Sequence, residues 1–590
     1  MPSLWFAATA RKGAKYLAGG TLAISAGSVA SLSYVYRTDK PYQRLIDFHL
    51  LLAPMCWDYY KYYAFEKKDI SDITQAEKSK SRLEELHEKY AKESLNHILT
   101  LGGYYVKCAQ MFCGMNLLPE AYEKEYSILL DQVPARSYEI VEQIVLSELG
   151  GNSIGEHFES FDKTPIAAAS IGQVHCARLK PGSAVGATIA SRDVVVKIQY
   201  PEVEEFFQMD VLGMKNLCLL SVKSGIDIGI EEQSLNKIFD EVTKSFEEEF
   251  DYRREAENMR LVHDNLMREP QIASRIKVPL PVLSKTTPKV LTMERIHGTP
   301  IKKRMEQITE EYVAKAGKTR AELEDEWKRK LQDPIELEKL LSQKPPTKVQ
   351  LWIYRAWMTT ADLMTNGKIW FRNAFVNSSQ KLREPYRWST PPLDASEIAS
   401  LLYRVHAHQV FVNGAFNADP HAGNILLCDE KGGGWTTTPK LGLIDFGNVQ
   451  RIADPQRRVD LARFYLAMAK DFSQDPTTWN DTEIAQRFIA VGGVSKNSDA
   501  TFLAANALMG YDIRYDPITL KRYGIAPDLS NIAEALNGRD EFEKFPADLI
   551  NLQRLSQTLM GVAGAIGAGQ PSCARMWEKQ CTALVENSSC

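Results

Sequence analysis

Two short motifs in the second half of the chain carry side chains suited to phosphoryl transfer. Asp419 and Asn424 lie five residues apart, and Asp445 stands directly before a Phe-Gly pair. In phosphoryl-transfer enzymes a first Asp orients or deprotonates the attacking hydroxyl, while an Asn and a second Asp hold the metal ions. Either motif alone is weak evidence, but their order strengthens it. The alternative is a turn followed by two core strands, with Asp419 as a turn residue.

The elements that must position these residues are short strands. Apolar runs at 425–427 and 441–444 flank the two motifs. We expect them to be buried strands on either side of a polar loop.

A nucleotide site also needs a lysine that binds phosphates and a carboxylate that holds the lysine. Lys197 follows the apolar run 194–196, which predicts a strand. A long helix, predicted from about 231 to 263, supplies Glu249, Asp251 and Glu255. Asp251 and Glu255 would share a face of this helix, and Glu249 would point about 120° away from Glu255. The alternatives are a surface lysine at a strand end and an acidic, solvated helix.

The bulk properties describe a large globular chain. Its 590 residues suggest about three to four domains, with 44% hydrophobic and 25% charged residues. A net charge of −4 gives no sign of a nucleic acid partner. The nine cysteines include no C-x-x-C pair, so neither a zinc ribbon nor a disulfide framework is indicated.

The composition changes along the chain, and these changes predict five regions. Residues 1–40 are a targeting segment, acid-free up to residue 38, and the uncharged run 16–36 is long enough to span a bilayer. A cleaved or peripheral segment is the alternative. Residues 41–160 are predicted to be helical, 161–300 to contain strands, and 396–590 to hold the Asp/Asn motifs followed by helices. Residues 301–395 are Lys/Glu-rich and then Trp-rich, and we interpret them as a partly helical insertion.

The region before Lys197 lacks a Gly-rich phosphate loop. An alanine-rich loop stands there instead, followed by Ile-Gly-Gln-Val-His, and its residues are Ala167, Ala168, Ala169 and Ser170. This pair of motifs resembles the UbiB/AarF (aarF-domain-containing) atypical kinase-like family. The Asp-Pro-His-Ala-Gly-Asn loop at 419–424 and the Asp-Phe-Gly at 445–447 also resemble that family's motifs.

The resemblance implies a fold and further site residues. The expected fold class is α+β, a two-lobed protein kinase-like fold with a helical N-terminal extension. Lys107 and Gln110 resemble the ends of the family's K-x-G-Q signature, and Glu249 and Asp251 match its E-x-D motif. The resemblance implies that Lys107 pairs with one of these two acids.

The same resemblance assigns roles at the nucleotide. Glu255 would pair with Lys197 at the phosphates, and Glu294 to Ile296 would form a hinge whose backbone meets adenine. ATP or ADP and Mg²⁺ are the implied cofactors. Two departures stand out: Ala109 replaces a family Gly, and Ala422 replaces a Pro found in many members.

The function implied is ATP hydrolysis, or chemistry on a small molecule, rather than protein phosphorylation. Membrane lipids, quinone precursors and a lipid-biosynthesis protein complex are the implied partners, with no nucleic acid polymer. The N-terminal composition and the insertion favour a mitochondrial member, associated with the inner membrane, and a plastid is the alternative.

Three other functions stay open. They are a nucleotide-binding switch or scaffold, a protein kinase acting in trans, and a small-molecule phosphotransferase, which the alanine-rich loop argues against. A further group of apolar residues would line a lipid-facing groove or, as apolar helical stripes usually do, form helix core: Tyr105, Phe112, Leu117 and Leu118.

Overall fold

The computed structural model describes most of the chain. The described residues are 36–62, 73–114, 118–130, 134–169, 171–182, 191–223, 249–333, 345–375, 383–389, 393–428, 439–469, 480–526, 532–544 and 546–588, with single positions at 239, 243, 246, 336 and 339. The predicted targeting segment and the uncharged run 16–36 lie almost wholly outside them. Among the described helices, none is long and apolar enough to cross a membrane.

The described chain forms two compact units. The first contains the residues up to Ala256 together with Leu280–Arg295, and the second contains Glu257–Pro279 and the residues from Ile296 onwards. Both units combine helices with mainly antiparallel strands, in agreement with the predicted α+β class.

A five-stranded sheet forms one half of the first unit. Its order is β1-β3-β4-β6, with the short β2 paired to β3, and all neighbours are antiparallel. The strands are β1 (Phe158–Phe161), β2 (Ala167–Ala168), β3 (Gly172–Leu179), β4 (Asp193–Gln199) and β6 (Val290–Glu294). The predicted apolar run at 194–196 falls inside β4. Val194 and Val196 of β4 and Val290 of β6 enter one core cluster, because β-branched residues pack well on a pleated surface.

Helices form the other half of the first unit. They are α1 (Lys40–Lys61), α2 (Ile73–Leu101), α3 (Tyr104–Gly114), α4 (Glu120–Tyr126), α5 (Tyr138–Leu149) and α6 (Pro201–Lys223). α2 ends at Leu101, and two glycines separate it from α3. Gly102 and Gly103 both have positive φ, 64° and 55°, which a right-handed helix does not allow.

The core alternative holds for two of the four apolar residues proposed for a lipid groove. Tyr105 is buried and stacks on Phe48 with ring centroids 4.5 Å apart. Leu118 packs against a second core cluster of the N-terminal helices. The side chains of Phe112 and Leu117 lie outside the described part of the chain.

The predicted continuous helix from about 231 to 263 is wrong at its acidic motif. Residues 250–251 are not helical, and the next helix, α7, spans Tyr252–Met267. The Asp251 carboxylate accepts a hydrogen bond from the Arg253 N–H at 3.0 Å, as a residue preceding a helix does. Asp251 therefore shares no helix face with Glu255. Phe239 and Phe246, in the N-terminal part of the predicted helix, are buried.

The second unit contains a four-stranded sheet in the order β5-β10-β9-β7 and two small two-stranded sheets, β8 with β11 and β12 with β13. The strands are β5 (Ile276–Lys277), β7 (Thr299–Pro300), β8 (Ala415–Asn417), β9 (Ile425–Leu427), β10 (Leu441–Leu443), β11 (Val449–Arg451), β12 (Val494–Ser495) and β13 (Phe542–Lys544). The two apolar runs predicted beside the Asp/Asn motifs are β9 and β10. They pair antiparallel, with Ile425 opposite Leu443.

Helices make up most of the second unit. Four described helices lie in the predicted insertion or just before it: α8 (Pro270–Ala273), α9 (Ile301–Ala316), α10 (Arg320–Gln332) and α11 (Lys348–Phe375). Eight others follow: α12 (Ala395–Ala407), α13 (Pro455–Met468), α14 (Asp481–Ala490), α15 (Ala500–Tyr511), α16 (Pro517–Arg522), α17 (Ile532–Asn537), α18 (Ala547–Ala565) and α19 (Cys573–Ser588). Phe411, Tyr465 and Trp577 are fully buried and in mutual ring contact, so they mark the centre of the helical core.

Candidate active site

The first unit holds the predicted lysine and its carboxylate. Lys197 lies on β4, and its Nζ donates to both oxygens of Glu255, at 3.0 and 2.9 Å. The two side chains are 18% and 6% exposed. Glu255 lies in the first turn of α7, where the helix dipole favours a negative charge. The Tyr252 ring lies 5.1 Å from Lys197 Nζ. The pair presents a fixed ammonium group, the kind of cation that binds phosphate oxygens.

The alanine-rich loop is part of the sheet rather than a free loop. Ala167 and Ala168 pair with Val174 and Gln173 of β3. The Ala169 N–H donates to the Gly172 carbonyl at 2.7 Å, which closes the turn. A Cβ on Gly172 would lie 2.3 Å from the Ile198 carbonyl oxygen, so this position tolerates only glycine. Ser170 lies outside the described residues. The Ala169 N–H is therefore engaged in the turn, unlike the phosphate-binding N–H groups of a Gly-rich loop.

The Gln and His of the Ile-Gly-Gln-Val-His motif form a buried network under this turn. The Gln173 Oε1 atom accepts from the Arg136 N–H at 2.7 Å and from the Tyr200 hydroxyl at 2.6 Å. Burial lowers the pKa of His175. The neutral ring fits its two contacts, the Asp162 carbonyl at Nδ1 and the Gln173 amide at Nε2. The motif thus holds the turn in place.

The K-x-x-Q signature lies on α3. Lys107 Nζ donates to Glu249 Oε2 at 3.0 Å and to Oε1 at 3.2 Å. Gln110 Nε2 donates to the Leu129 carbonyl at 2.6 Å. Asp251 pairs with the Arg253 guanidinium instead, at 2.7 Å, and this hydrogen-bonded contact lowers the pKa of Asp251. Of the two acids that the family resemblance offered to Lys107, Glu249 is the partner.

The Ala109 position shows how the chain accommodates its departure from the family signature. Ala109 is buried in the cluster of N-terminal helices that contains Tyr59 and Leu129. The extra methyl group therefore has packing partners.

The proposed hinge begins at the end of β6. The Glu294 N–H donates to the Leu280 carbonyl, and the Arg295 N–H donates to the Asp193 carbonyl, each at 3.0 Å. These two N–H groups are therefore engaged within the first unit. Ile296 belongs to the second unit, where its Cγ2 atom would lie 2.8 Å from a Cβ on Gly442.

The second unit holds the Asp/Asn motifs, and a buried asparagine joins them. Asn417 ends β8, and its Oδ1 atom accepts from the Asp419 N–H at 3.0 Å. Its Nδ2 atom donates to the Asp445 carbonyl at 2.8 Å. The Asn417 N–H donates to the buried Gln409 side chain at 3.0 Å. The sequence analysis gave Asn417 no role, since this link becomes visible only when β8 and the end of β10 are adjacent.

Asn424 and Asp445 lie at the same end of the β9–β10 pair. The Ile444 N–H donates to the Asn424 carbonyl at 3.2 Å, which continues the strand register by one residue. The Asp445 Oδ1 atom accepts from the Gly447 N–H at 3.0 Å. The buried Phe446 is held by Asn258 of α7, whose Nδ2 atom lies 3.3 Å from the Phe446 carbonyl.

These two side chains fit a magnesium ion. Among the described residues there is no cluster of three or more His, Cys, Asp or Glu side chains that could hold a metal. Magnesium does not need one, because it is usually bound through one or two carboxylates, with waters and substrate phosphates completing its shell. An amide oxygen and a carboxylate at adjacent strand ends supply hard oxygen ligands of that kind.

An arginine from α18 contacts the predicted catalytic aspartate. Arg554 Nη2 donates to Asp419 Oδ2 at 2.7 Å. Sequence reasoning missed Arg554, since it lies 135 residues away in a helix with no motif of its own. In this conformation one carboxylate oxygen of Asp419 is occupied by a cation.

A family comparison decides what these motifs mean together. The family model described as the ABC1 atypical kinase-like domain matches residues 128–323 and 373–475. The chain belongs to the ABC1 atypical kinase-like family. The matched ranges contain Lys197, Glu255, Asp419, Asn424 and Asp445. They leave out most of α11.

Curated ABC1 relatives come from several kingdoms. "Protein ACTIVITY OF BC1 COMPLEX KINASE 8, chloroplastic" of Arabidopsis thaliana is 35% identical over 216 residues, which cover 36% of this chain and 26% of that protein. "ABC1 family protein MCP2" of Saccharomyces cerevisiae is 28% identical over 242 residues, 41% of this chain and 39% of that protein. The matches span about a quarter to two fifths of these relatives' own lengths.

A solved structure gives a more distant likeness. It is a complex of a Mycobacterium tuberculosis protein with erythromycin, and it matches 86% of this chain and 98% of its own at 18% identity and a TM-score of 0.41. The family assignment therefore depends on the domain match.

Proposed function

We propose that this ABC1 protein binds the magnesium complex of ATP or ADP and hydrolyses ATP in the service of membrane lipid or isoprenoid quinone metabolism. Lys197, held by Glu255, binds phosphate oxygens. Asn424 and Asp445 bind the metal ion, which supplies charge neutralisation at the phosphates. Asp419 orients the attacking water or hydroxyl and accepts its proton.

The observation that carries the proposal is the shared anchoring of the two aspartates. One buried side chain, Asn417, bonds to the backbone at both Asp419 and Asp445, and Asn424 is joined to the residue before Asp445. Such preorganisation is what a catalytic group needs, because misplacement by about 1 Å can cost about 100-fold in rate.

The remaining predicted residues have supporting roles in this proposal. Residues 167–170 cover the phosphates, and Glu294 to Ile296 lie at the adenine. Lys107, Gln110, Glu249 and Asp251 restrict access for a protein acceptor. This restriction supports ATP hydrolysis over protein phosphorylation, as does the alanine-rich turn with its engaged N–H group.

An organelle location is part of the proposal. The acid-free N-terminal composition supports a mitochondrion, with association at the inner membrane. The printed name of the Arabidopsis relative places that protein in the chloroplast, which supports an organelle but keeps a plastid open. Quinone precursors and a lipid-biosynthesis complex are the proposed partners.

A second function, a nucleotide-dependent switch with little turnover, is favoured by one contact. Arg554 occupies an oxygen of Asp419 at 2.7 Å, so the carboxylate is not fully available as a base. Nucleotide binding through the metal ligands would still be intact.

ATP turnover by the chain and two variants separates these functions. For hydrolysis, Asp419→Asn lowers turnover by about 10²- to 10⁴-fold while nucleotide binding persists, and Asp445→Asn removes both. Asp460→Asn is the matched control, because Asp460 is 33% exposed and paired with Arg463, as Asp419 is 32% exposed and paired with Arg554.

The assay is repeated with anionic-lipid vesicles and with phenolic quinone precursors, and we expect stimulation by one of them. If Asp419→Asn leaves turnover and cellular function unchanged while Asp445→Asn abolishes function, the protein acts as a nucleotide-dependent switch and the proposed ATP hydrolysis is refuted. Efficient phosphorylation of an added protein would contradict both.

A further inference from the structure

A long exposed apolar surface lies on α11, in the predicted insertion. This helix spans 28 residues, Lys348–Phe375. Ten large apolar side chains along it are between 49 and 70% exposed, and six of them, each at least 56% exposed, are Trp352, Trp357, Met364, Trp370, Phe371 and Phe375.

These side chains form one continuous face. At 100° per residue, positions 352, 357, 364, 370, 371 and 375 fall within an arc of about 140°. The distance along the helix from Trp352 to Phe375 is about 35 Å. Between Lys348 and Phe375 no charged residue falls inside the arc, and its remaining positions are small or uncharged, such as Ala356, Thr360 and Gly367. We call this surface the aromatic face of α11.

The opposite side of α11 is fixed to the rest of the second unit. Leu351 and Ile369 are buried there. The Asn366 side chain donates to the Arg387 carbonyl at 2.8 Å and accepts from the Arg387 N–H at 2.7 Å. Asn373 makes the same pair of bonds to Glu384, at 2.7 and 2.9 Å. The aromatic face is therefore held outwards by paired backbone contacts along the back of the helix.

The charged residues of α11 that border the face are basic. Lys348 is paired with Glu397 at 2.9 Å, and Arg372 is paired with Glu384 at 3.1 Å. By helix angle, Lys348 and Arg355 lie beside one edge, and Lys368 and Arg372 lie beside the other. Asp362 is the one acidic residue of α11, and it bonds to Ser389 on the back of the helix. A long apolar face that contains Trp and Phe and is edged by Lys and Arg is the pattern of helices that lie in a membrane interface. Tryptophan is enriched at that depth.

We propose that α11 is an interfacial membrane helix that lies in the plane of an anionic lipid bilayer with its aromatic face among the acyl chains. Arg355 and Lys368, one at each edge, complement anionic headgroups. This favours a bilayer over a second copy of the chain, whose corresponding edges would carry the same charges. The helix lies on the bilayer rather than across it in this proposal, because Asp362, Lys368 and Arg372 interrupt its apolar sequence. This inference rests on the proposed link to membrane lipids and gives that link a structural element.

Depth-dependent quenching tests the proposal on the whole chain. The chain is mixed with vesicles of phosphatidylcholine and phosphatidylglycerol in which the acyl chains carry bromine, which quenches tryptophans located in the bilayer. Three of the chain's ten tryptophans lie on the aromatic face. Changing Trp352, Trp357 and Trp370 together to Phe keeps the face apolar. We therefore expect vesicle binding to persist and the quenched fraction of the fluorescence to fall by more than half.

A second set of variants removes the apolar surface. Changing Trp357, Met364 and Phe371 to Ser should weaken vesicle binding by at least about 100-fold, because three side chains lose their transfer from water. The matched control changes Leu50, Tyr312 and Trp327 to Ser. These side chains are 63, 60 and 49% exposed but lie elsewhere, so binding should stay unchanged.

Three results would overturn the proposal. They are an unchanged quenched fraction in the Trp-to-Phe variant, no binding of the wild-type chain to either neutral or anionic vesicles, and a wild-type dimer that the serine variant converts to a monomer. ATP turnover without vesicles is measured in parallel. The serine variant should retain it, so a failure of the membrane proposal is distinguishable from a failure of the proposed enzyme activity.

Discussion

Replacing Lys197 with Met should weaken the sheet of the first unit as well as nucleotide binding. Glu255 is 6% exposed at its side chain, and its two oxygens both accept from Lys197 Nζ. The variant would remove the Lys197 ammonium group from a nearly buried carboxylate. Removing one partner of a buried ion pair costs about 3–5 kcal/mol.

The structure places this case at the lower end of that range. Lys197 is 18% exposed, so water can enter part of the space that its ammonium group vacates. We expect a loss of about 3 kcal/mol. That corresponds to an increase of about 100-fold in the opening equilibrium of the surrounding strands.

Amide hydrogen exchange read by mass spectrometry measures this locally. Peptides covering β4 and β6 should exchange about 100-fold faster in Lys197→Met, because the two strands pair across Lys197 and Leu291. Peptides covering β10, in the other unit, serve as the internal reference and should not change.

A double variant separates stability from function. Lys197→Met with Glu255→Gln replaces the buried charge by a neutral amide, so most of the protection of β4 and β6 should return. Nucleotide affinity should stay low, since the phosphate-binding cation is absent. Unchanged exchange in Lys197→Met, or a double variant less protected than the single one, would refute the reasoning that Glu255 depends on Lys197 for its burial.

Three further predictions concern other parts of the molecule. Arg554→Gln removes the ion pair with Asp419 and frees this carboxylate, so ATP turnover should rise up to about fivefold. Stability should stay unchanged, because the pair is partly exposed to solvent. Burial holds the pKa of His406 at about 4, below the usual 6.5. On acidification His406 therefore binds a proton in the unfolded chain before it does so in the folded chain. The free energy of unfolding should fall by about 2 kcal/mol between pH 7 and pH 5, and His406→Leu should remove this fall. Ala109→Gly, which restores the family residue, should destabilise α3 by about 1 kcal/mol in hydrogen exchange.

Each of these predictions has a result that contradicts it. A fall in turnover in Arg554→Gln, with the exposed Arg487→Gln as control, would show that Arg554 assists Asp419. An equal pH dependence in wild type and His406→Leu, measured by urea unfolding, would show that His406 does not titrate as its burial implies. A neutral or stabilising Ala109→Gly would mean that the methyl group is not packed as the structure shows.

Much of the site could be predicted because its signals are local. Apolar runs of three or four residues beside Asp419 and Asp445 predicted β9 and β10, and the β-branched run before Lys197 predicted β4. Lys107, Glu249, Asp251 and Glu255 were found through motif resemblance. The structure then selected Glu249 as the partner of Lys107.

The features that sequence reasoning missed depend on tertiary placement or on single backbone conformations. Arg554 reaches Asp419 from a helix 135 residues away, and no local pattern marks it. Asn417 joins two loops that are adjacent only once β8 and β10 are in place. The helix break before Tyr252 was missed because the apolar and acidic pattern continues through it. Asp251 there bonds to the Arg253 N–H instead of continuing the helix.

The most direct test of the central claim is nucleotide binding by calorimetry with and without Mg²⁺, in the wild-type chain and in Asp445→Asn. If Asn424 and Asp445 hold the metal of a bound nucleotide, ATP or ADP binds the wild-type chain more tightly with Mg²⁺ than without it. In Asp445→Asn this magnesium-dependent gain is lost, and in the control Asp460→Asn it is retained. Nucleotide binding that is absent from the wild-type chain, or that keeps its full magnesium dependence in Asp445→Asn, would contradict the account.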